Sequence, residues 1–134
     1  MKSISLRLHP GQDLKIELDR LAREYQLEAA CIIACVGSLT TARLRFANRE
    51  DATELTGHFE IVSLEGVFSK YGSHFHIAIA DGSGRTMGAH LLEGSVIYTT
   101  AEIVIGVVAD TSFKRELDPQ TGYTELSISY TTTE

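Results

Sequence analysis

Helical periodicity occurs once in this chain and then does not return. Leu14, Leu18, Leu21, Ala22 and Tyr25 recur at the spacing of one helical face, with charged residues between them and Asp13 placed to cap the first turn. One amphipathic helix is therefore expected from residue 13 to about residue 26. Ahead of it, residues 3–8 alternate polar and apolar side chains as a half-buried strand does, and Pro10-Gly11 ends that run. Everything after the helix reads as strand and turn. The strand candidates are residues 29–36, 42–47, 57–68, 74–80, 86–91, 101–110 and 123–130. Turn-forming clusters at Gly37-Ser38, 48–52, 70–73 and 118–122 separate them. The pattern predicts an α+β fold in which a largely antiparallel sheet of about seven strands, curved or barrel-like, packs on one main helix. With no internal repeat, low-complexity stretch or linker, residues 1–134 are expected to form a single domain.

One hairpin in this pattern concentrates chemistry. His74 and His76 are two residues apart, so on a strand they share a face while Phe75 and Ile77 take the other. Asp81-Gly82-Ser83-Gly84-Arg85 has the composition of a three-residue hairpin loop, with Gly84 available for the left-handed position. That loop sets Asp81 against Arg85, Ala78 against Gly88 and His76 against His90. Opposite residues carry Cβ atoms roughly 4.5–5.5 Å apart, within which two imidazoles can share one ion at Zn–N distances of about 2.0–2.1 Å. His74, His76 and His90 are thus the candidate metal ligands, and Gly88 leaves open space beside them. A two-residue turn at Ser83-Gly84 would instead shift the pairing by one and send His90 to the opposite face.

Composition fits a globular chain and argues against some partners. Apolar residues make up 43% and charged residues 22%, far from a disordered composition. No apolar run approaches the roughly 20 residues that cross a bilayer, so a membrane location is not expected, and the absence of a signal-peptide opening points to the cytoplasm. A net charge of −6 disfavours a surface built to neutralise DNA phosphates. Arg43, Arg45, Arg49 and Lys114-Arg115 are the notable cationic groupings, interleaved with acidic or apolar residues, and read as solvated surface. Cys31 and Cys35 share a strand face but lie about 13 Å apart along it, beyond disulfide reach, and read as buried free thiols.

Several short segments, taken in order, resemble the plants and prokaryotes conserved (PPC) domain. Leu8-His9-Pro10-Gly11-Gln12-Asp13-Leu14 is similar to that family's strand-to-helix entry, and Val36-Gly37-Ser38-Leu39 to its glycine-serine-leucine segment. Gly57-His58-Phe59-Glu60-Ile61-Val62 is similar to the plant motif Gly-Arg-Phe-Glu-Ile-Leu, with His58 and Val62 replacing the arginine and leucine. Ser63-Leu64-Glu65-Gly66 continues it, and Gly88-Ala89-His90-Leu91 is similar to the prokaryotic Gly-Gly-His-Leu. The resemblance runs from about residue 2 to residue 130. It implies a prokaryotic, stand-alone type of domain assembled as a homotrimer, with a histidine cluster at His74, His76 and His90. It also implies an assembly or partner-contact role for Gly57, Phe59, Glu60 and Ile61. The chain has no Arg-Gly-Arg-Pro hook, so DNA binding of the plant kind does not transfer.

Other motifs carry less. Gly82-x-Gly84-x-x-x-Gly88 misses the dinucleotide fingerprint by one residue and leads into a strand, where no helix N-terminus can take a phosphate. Ser38, Ser63 and Ser73 lack a defined neighbouring base. Glu60 and Glu65 are five apart and fall on opposite faces of a regular strand unless a bulge intervenes. Glu65 reads first as a solvated or salt-bridged carboxylate, and the alternative is service to the metal pocket as a proton acceptor or as a partner of a ligating imidazole. His9 and His58 read as surface residues.

The favoured expectation is a trimeric protein whose divalent metal, zinc first, is held by three histidines with a position left for solvent or a small-molecule ligand. Catalytic residues are not identified. The alternatives are a DNA-binding or transcription-associated regulator, needing a basic patch around Arg43, Arg45 and Arg49, and a protein-interaction module without catalysis.

Overall fold

The structure, a computed structural model, describes residues 2–131. Asp13 opens the helix α1 (Leu14–Glu24) as its sequence predicts: the carboxylate accepts from Ile16 N at 3.0 Å and also from Gly94 N at 2.6 Å. Tyr25 caps the helix, and the chain turns away at Gln26, which takes a left-handed φ of 51°. Leu14, Leu18 and Ala22, four apart and fully buried, form the stripe that faces the sheet. Each buried leucine of that stripe is worth about 1.5–3 kcal/mol of apolar transfer. Among the described residues no helix is long and apolar enough to cross a membrane.

Eight strands accompany the helix: β1 (Lys2–Leu8), β2 (Ala30–Arg45), β3 (Thr53–Ser69), β4 (Gly72–Ala80), β5 (Thr86–Leu91), β6 (Val96–Val107), β7 (Thr111–Leu117) and β8 (Thr124–Tyr130). Six form one antiparallel sheet in the order β1-β6-β2-β3-β4-β5, and β7-β8 form a separate two-stranded hairpin. The sheet curls until the end of β2 pairs with β5, through Leu44 with Leu91 and Arg45 with His90. Strands β2 to β5 therefore close into a ring of pairings, and the core fills its inside with Phe68, Phe75, Ile77, Ile79, Leu39 and Leu44.

Three sequence expectations need correction. Gly37-Ser38 is not a turn: β2 runs through it without interruption, paired with both β3 and β6. Glycine is needed at 37 because a Cβ there would strike the Thr100 carbonyl and Ala101 on β6. The turn-like composition marks close backbone approach, and register shifts on either side absorb the curvature. Residues 111–117 form a strand that the sequence pattern did not separate from its surroundings, because its Lys114, Arg115 and Glu116 obscure the alternation. Residues 123–130 pair with that strand and do not join the main sheet.

Candidate metal centre

Strand β4 carries two of the three histidines, and burial fixes which way they point. Phe75, Ile77 and Ile79 are all under 3% exposed and face the core, so His74 and His76 must face outward. Gly66, the cross-strand partner of Phe75, makes this possible: a Cβ there would overlap the Phe75 ring and crowd the His74 carbonyl. The Phe75 ring packs against Phe68 with centroids 5.2 Å apart.

The loop after β4 sets the third histidine. Asp81 N donates to Arg85 O at 2.9 Å, and Asp81 Oδ1 accepts from Ser83 N at 2.9 Å, Arg85 N at 3.0 Å and Ser83 Oγ at 2.7 Å. Gly84 takes the left-handed φ of 81° that the three-residue loop requires. The register that follows places Ala80 opposite Thr86, Ala78 opposite Gly88 and His76 opposite His90. The loop's glycine thus decides which face His90 occupies, and it occupies that of His74 and His76.

The three imidazoles converge. Ring centroids lie 4.9 Å apart for His74 and His76, 4.6 Å for His76 and His90, and 5.3 Å for His74 and His90. His74 and His90 are nearly parallel, at 14°, with His76 edge-on to both. One nitrogen from each ring lies within 4.8 Å of the others. Nitrogens bound tetrahedrally at zinc distances sit about 3.3–3.4 Å apart. Small side-chain rotations close that gap, so the donor set fits a divalent ion.

Electrostatics favour the ligating form. Burial lowers the pKa of His74 below that of a free imidazole, helped by His76, Arg115 and Arg45 and opposed by Glu125. Burial lowers that of His90 too, with Arg45, His76 and His74 adding to it. A depressed pKa keeps an imidazole neutral, and the neutral ring is the metal ligand.

A row of side chains crosses the sheet through the cluster. Glu65 stands opposite His76, and Arg45 opposite His90. Beside it, Ser63, Ala78 and Gly88 occupy the next row and leave a recess of about 370 Å³ that Glu65, His76, His90 and Arg45 also border. A Cβ at Gly88 would meet nothing closer than the Ile77 carbonyl at 3.4 Å, so this glycine is not required by packing.

The remaining sequence candidates are placed as follows. The pairing with β4 skips Val62, a bulge that brings Glu60 to the same face as Glu65. Their partners Ala80 and His76 are nonetheless four residues apart on β4, about 13 Å, too far for a carboxylate pair. Phe59 and Ile61 are core residues, leaving Gly57 and Glu60 to face outward. His58 is exposed and lies against the Tyr98 ring, centroids 4.4 Å apart. Cys31 and Cys35 are unpaired and half-buried, and burial pushes the Cys35 thiol up to about 11, which keeps it protonated and inert.

Sequence reasoning took Arg45 and Arg115 for solvated surface, whereas both border the cluster. Arg45 was legible in principle, since it alternates with the buried Leu44 and so takes the outward face. Arg115 was not, because nothing local signals that β7 returns to β3 and β4. It does so through Glu28, which receives Ser112 Oγ at 2.8 Å and Lys70 at 2.7 Å and whose carbonyl accepts from Phe113 N at 2.8 Å.

Residues 1–109 match the family profile described as the Plants and Prokaryotes Conserved (PCC) domain, and the chain belongs to this family. A structure of a hypothetical protein from Salmonella shares 41% identity and a TM-score of 0.94, covering 96% of this chain and 94% of that one. The metal-containing protein from Archaeoglobus fulgidus shares 26% identity and a TM-score of 0.79, covering 95% and 94%. Among curated relatives, the bifunctional protein GlmU of Synechococcus sp. (strain JA-3-3Ab) is 49% identical over 123 residues, 92% of this chain. The chain spans about one fifth of the length of the curated relatives it matches.

Proposed function

We propose that the protein is a homotrimeric metal-binding domain in which His74, His76 and His90 hold a divalent ion, zinc first among the candidates. The observation that carries this reading is the convergence of three imidazole nitrogens within 4.8 Å on one sheet face. Neutral imidazole also suits nickel, copper and iron, but three histidines with one open position are an established zinc arrangement. The Archaeoglobus relative, described as metal-containing, supports it. When bound, such an ion supplies Lewis-acid polarisation of a carbonyl or phosphoryl oxygen. Glu65, opposite His76, is positioned to accept a proton or to orient that imidazole, and the recess over Gly88 gives a small ligand room.

The trimer is supported by apolar side chains on neighbouring strands that the isolated chain leaves in water: Ile33, Val36, Val62 and Tyr98, on β2, β3 and β6, are 43–66% exposed. Light scattering on a sizing column tests it, with a mass of three chains expected and a monomer contradicting it. Zinc titration into metal-free protein tests the site. Removing a partner of a ligating histidine already costs about 10–100-fold in affinity. His76→Ala, which removes a ligand, is expected to weaken zinc binding by more than a hundredfold, and unchanged affinity would sink the assignment.

A further inference from the structure

We infer that the cavity between the histidine cluster and the β7–β8 hairpin binds a small ligand through an oxyanion group, a phosphate or a carboxylate, clamped by Arg45 and Arg115. The cavity measures about 690 Å³, and Arg45, Ser73, His74, His90, Arg115 and Glu125 border it. That volume lies within the range of small-molecule sites. The two arginines arrive from distant parts of the chain, the end of β2 and the middle of β7.

Both guanidiniums have donors to spare. The ion pairs among the described residues are Lys15–Asp19, Arg20–Glu17 and Lys70–Glu28, and neither arginine takes part in one. Arg45 Nη1 makes one long contact, to the Arg49 carbonyl at 3.3 Å, and Arg115 Nη2 another, to the Val67 carbonyl at 3.5 Å. Each guanidinium offers five N–H donors in a fork that matches an oxyanion, so most of that capacity is unused. Arg115 is held in place: it is half-buried, and its Cγ lies 3.2 Å from where a Cβ on Gly72 would sit.

Glu125 offsets one of the two positive charges, leaving the wall cationic in a chain whose net charge is −6. Such a local reversal of sign selects an anion. Because both arginines border a cavity, a small ligand suits them better than a duplex backbone.

The inference deepens the metal reading, in that a ligand held here would also border His74 and His90, but the arginine clamp does not need the ion. The test is therefore run on chelator-treated protein by titration calorimetry at low ionic strength, with inorganic phosphate and malonate as probes. Saturable binding of at least one probe is expected, and which one binds separates phosphate from carboxylate chemistry. Arg45→Gln and Arg115→Gln should each weaken it tenfold or more, with the circular dichroism of the wild type retained. Arg115→Lys, which keeps the charge and loses the fork, should fall between wild type and Arg115→Gln. Binding of neither probe, or arginine variants that bind as tightly as the wild type, would overturn the assignment. So would duplex DNA binding that the same substitutions abolish while neither small anion binds. The metal reading fails separately: zinc affinity unchanged in His76→Ala would refute that reading while leaving the metal-free anion result to stand or fall alone.

Discussion

Two glycines on the site's own strands face opposite demands, and substituting each with alanine should give opposite results. At Gly66 the new methyl would overlap the Phe75 ring and crowd the His74 carbonyl, both fixed by the core and by the β3–β4 ladder. Relief requires Phe75, 1% exposed, to leave its place against Phe68. Overpacking of this kind costs about 1–3 kcal/mol, and loss of the aromatic pair adds about 0.5–1.5 kcal/mol, so Gly66→Ala should destabilise by about 1.5–4.5 kcal/mol. At Gly88 the methyl would meet its nearest neighbour at an ordinary 3.4 Å and point into the recess. The reduced freedom of the unfolded chain is worth about 0.4–1 kcal/mol in favour of alanine, so Gly88→Ala should leave stability within about 1 kcal/mol of the wild type. Urea unfolding of chelator-treated protein, at one protein concentration so that assembly does not shift the midpoints, measures both. Equal costs for the two variants, or a greater cost at Gly88, would refute the placement of β4 against β3 on which the histidine geometry rests.

Acidification should weaken the metal-free fold. His74 and His90 have pKa values lowered from 6.5, so as pH falls the unfolded chain takes up protons first. Their contribution is fully present above about pH 6.5 and is lost as pH falls through the folded-state values. Urea midpoints should drop between pH 7 and pH 5, the drop should shrink in a His74→Ala, His90→Ala double variant, and a flat wild-type profile would contradict the shifts. Ser95, fully buried, accepts from Arg43 N at 3.0 Å while the Leu92 and Arg43 carbonyls, at 3.1 and 3.2 Å, compete for its proton. Ser95→Ala is expected to cost about 1–3 kcal/mol in chemical denaturation, and a neutral result would show that these bonds are not needed. Asp81→Ala removes the acceptor that shapes the loop between His76 and His90 and should lower zinc affinity in calorimetry, whereas unchanged affinity would mean the strands alone hold the register.

How far these features could be read from the sequence depended on how local their causes are. The helix follows from Leu14, Leu18 and Ala22 on one face and a capping Asp13, all within one stretch of chain. The register of His76 with His90 follows from the Asp81-to-Arg85 loop, whose hydrogen bonds are made among its own residues. Gly37 misled because a glycine needed for close approach to β6 has the same composition as a glycine needed for a turn. The role of Arg115 was out of reach, since it arises only where β7, anchored by Glu28, returns across β3 and β4.

The claim on which the rest depends is that His74, His76 and His90 form a metal site. Elemental analysis of protein purified without an affinity tag measures it directly. Close to one equivalent of a divalent metal per chain in the wild type, zinc foremost, and little or none in His76→Ala is the expected result. Far less than one equivalent in the wild type, or the same metal content in both proteins, would contradict it.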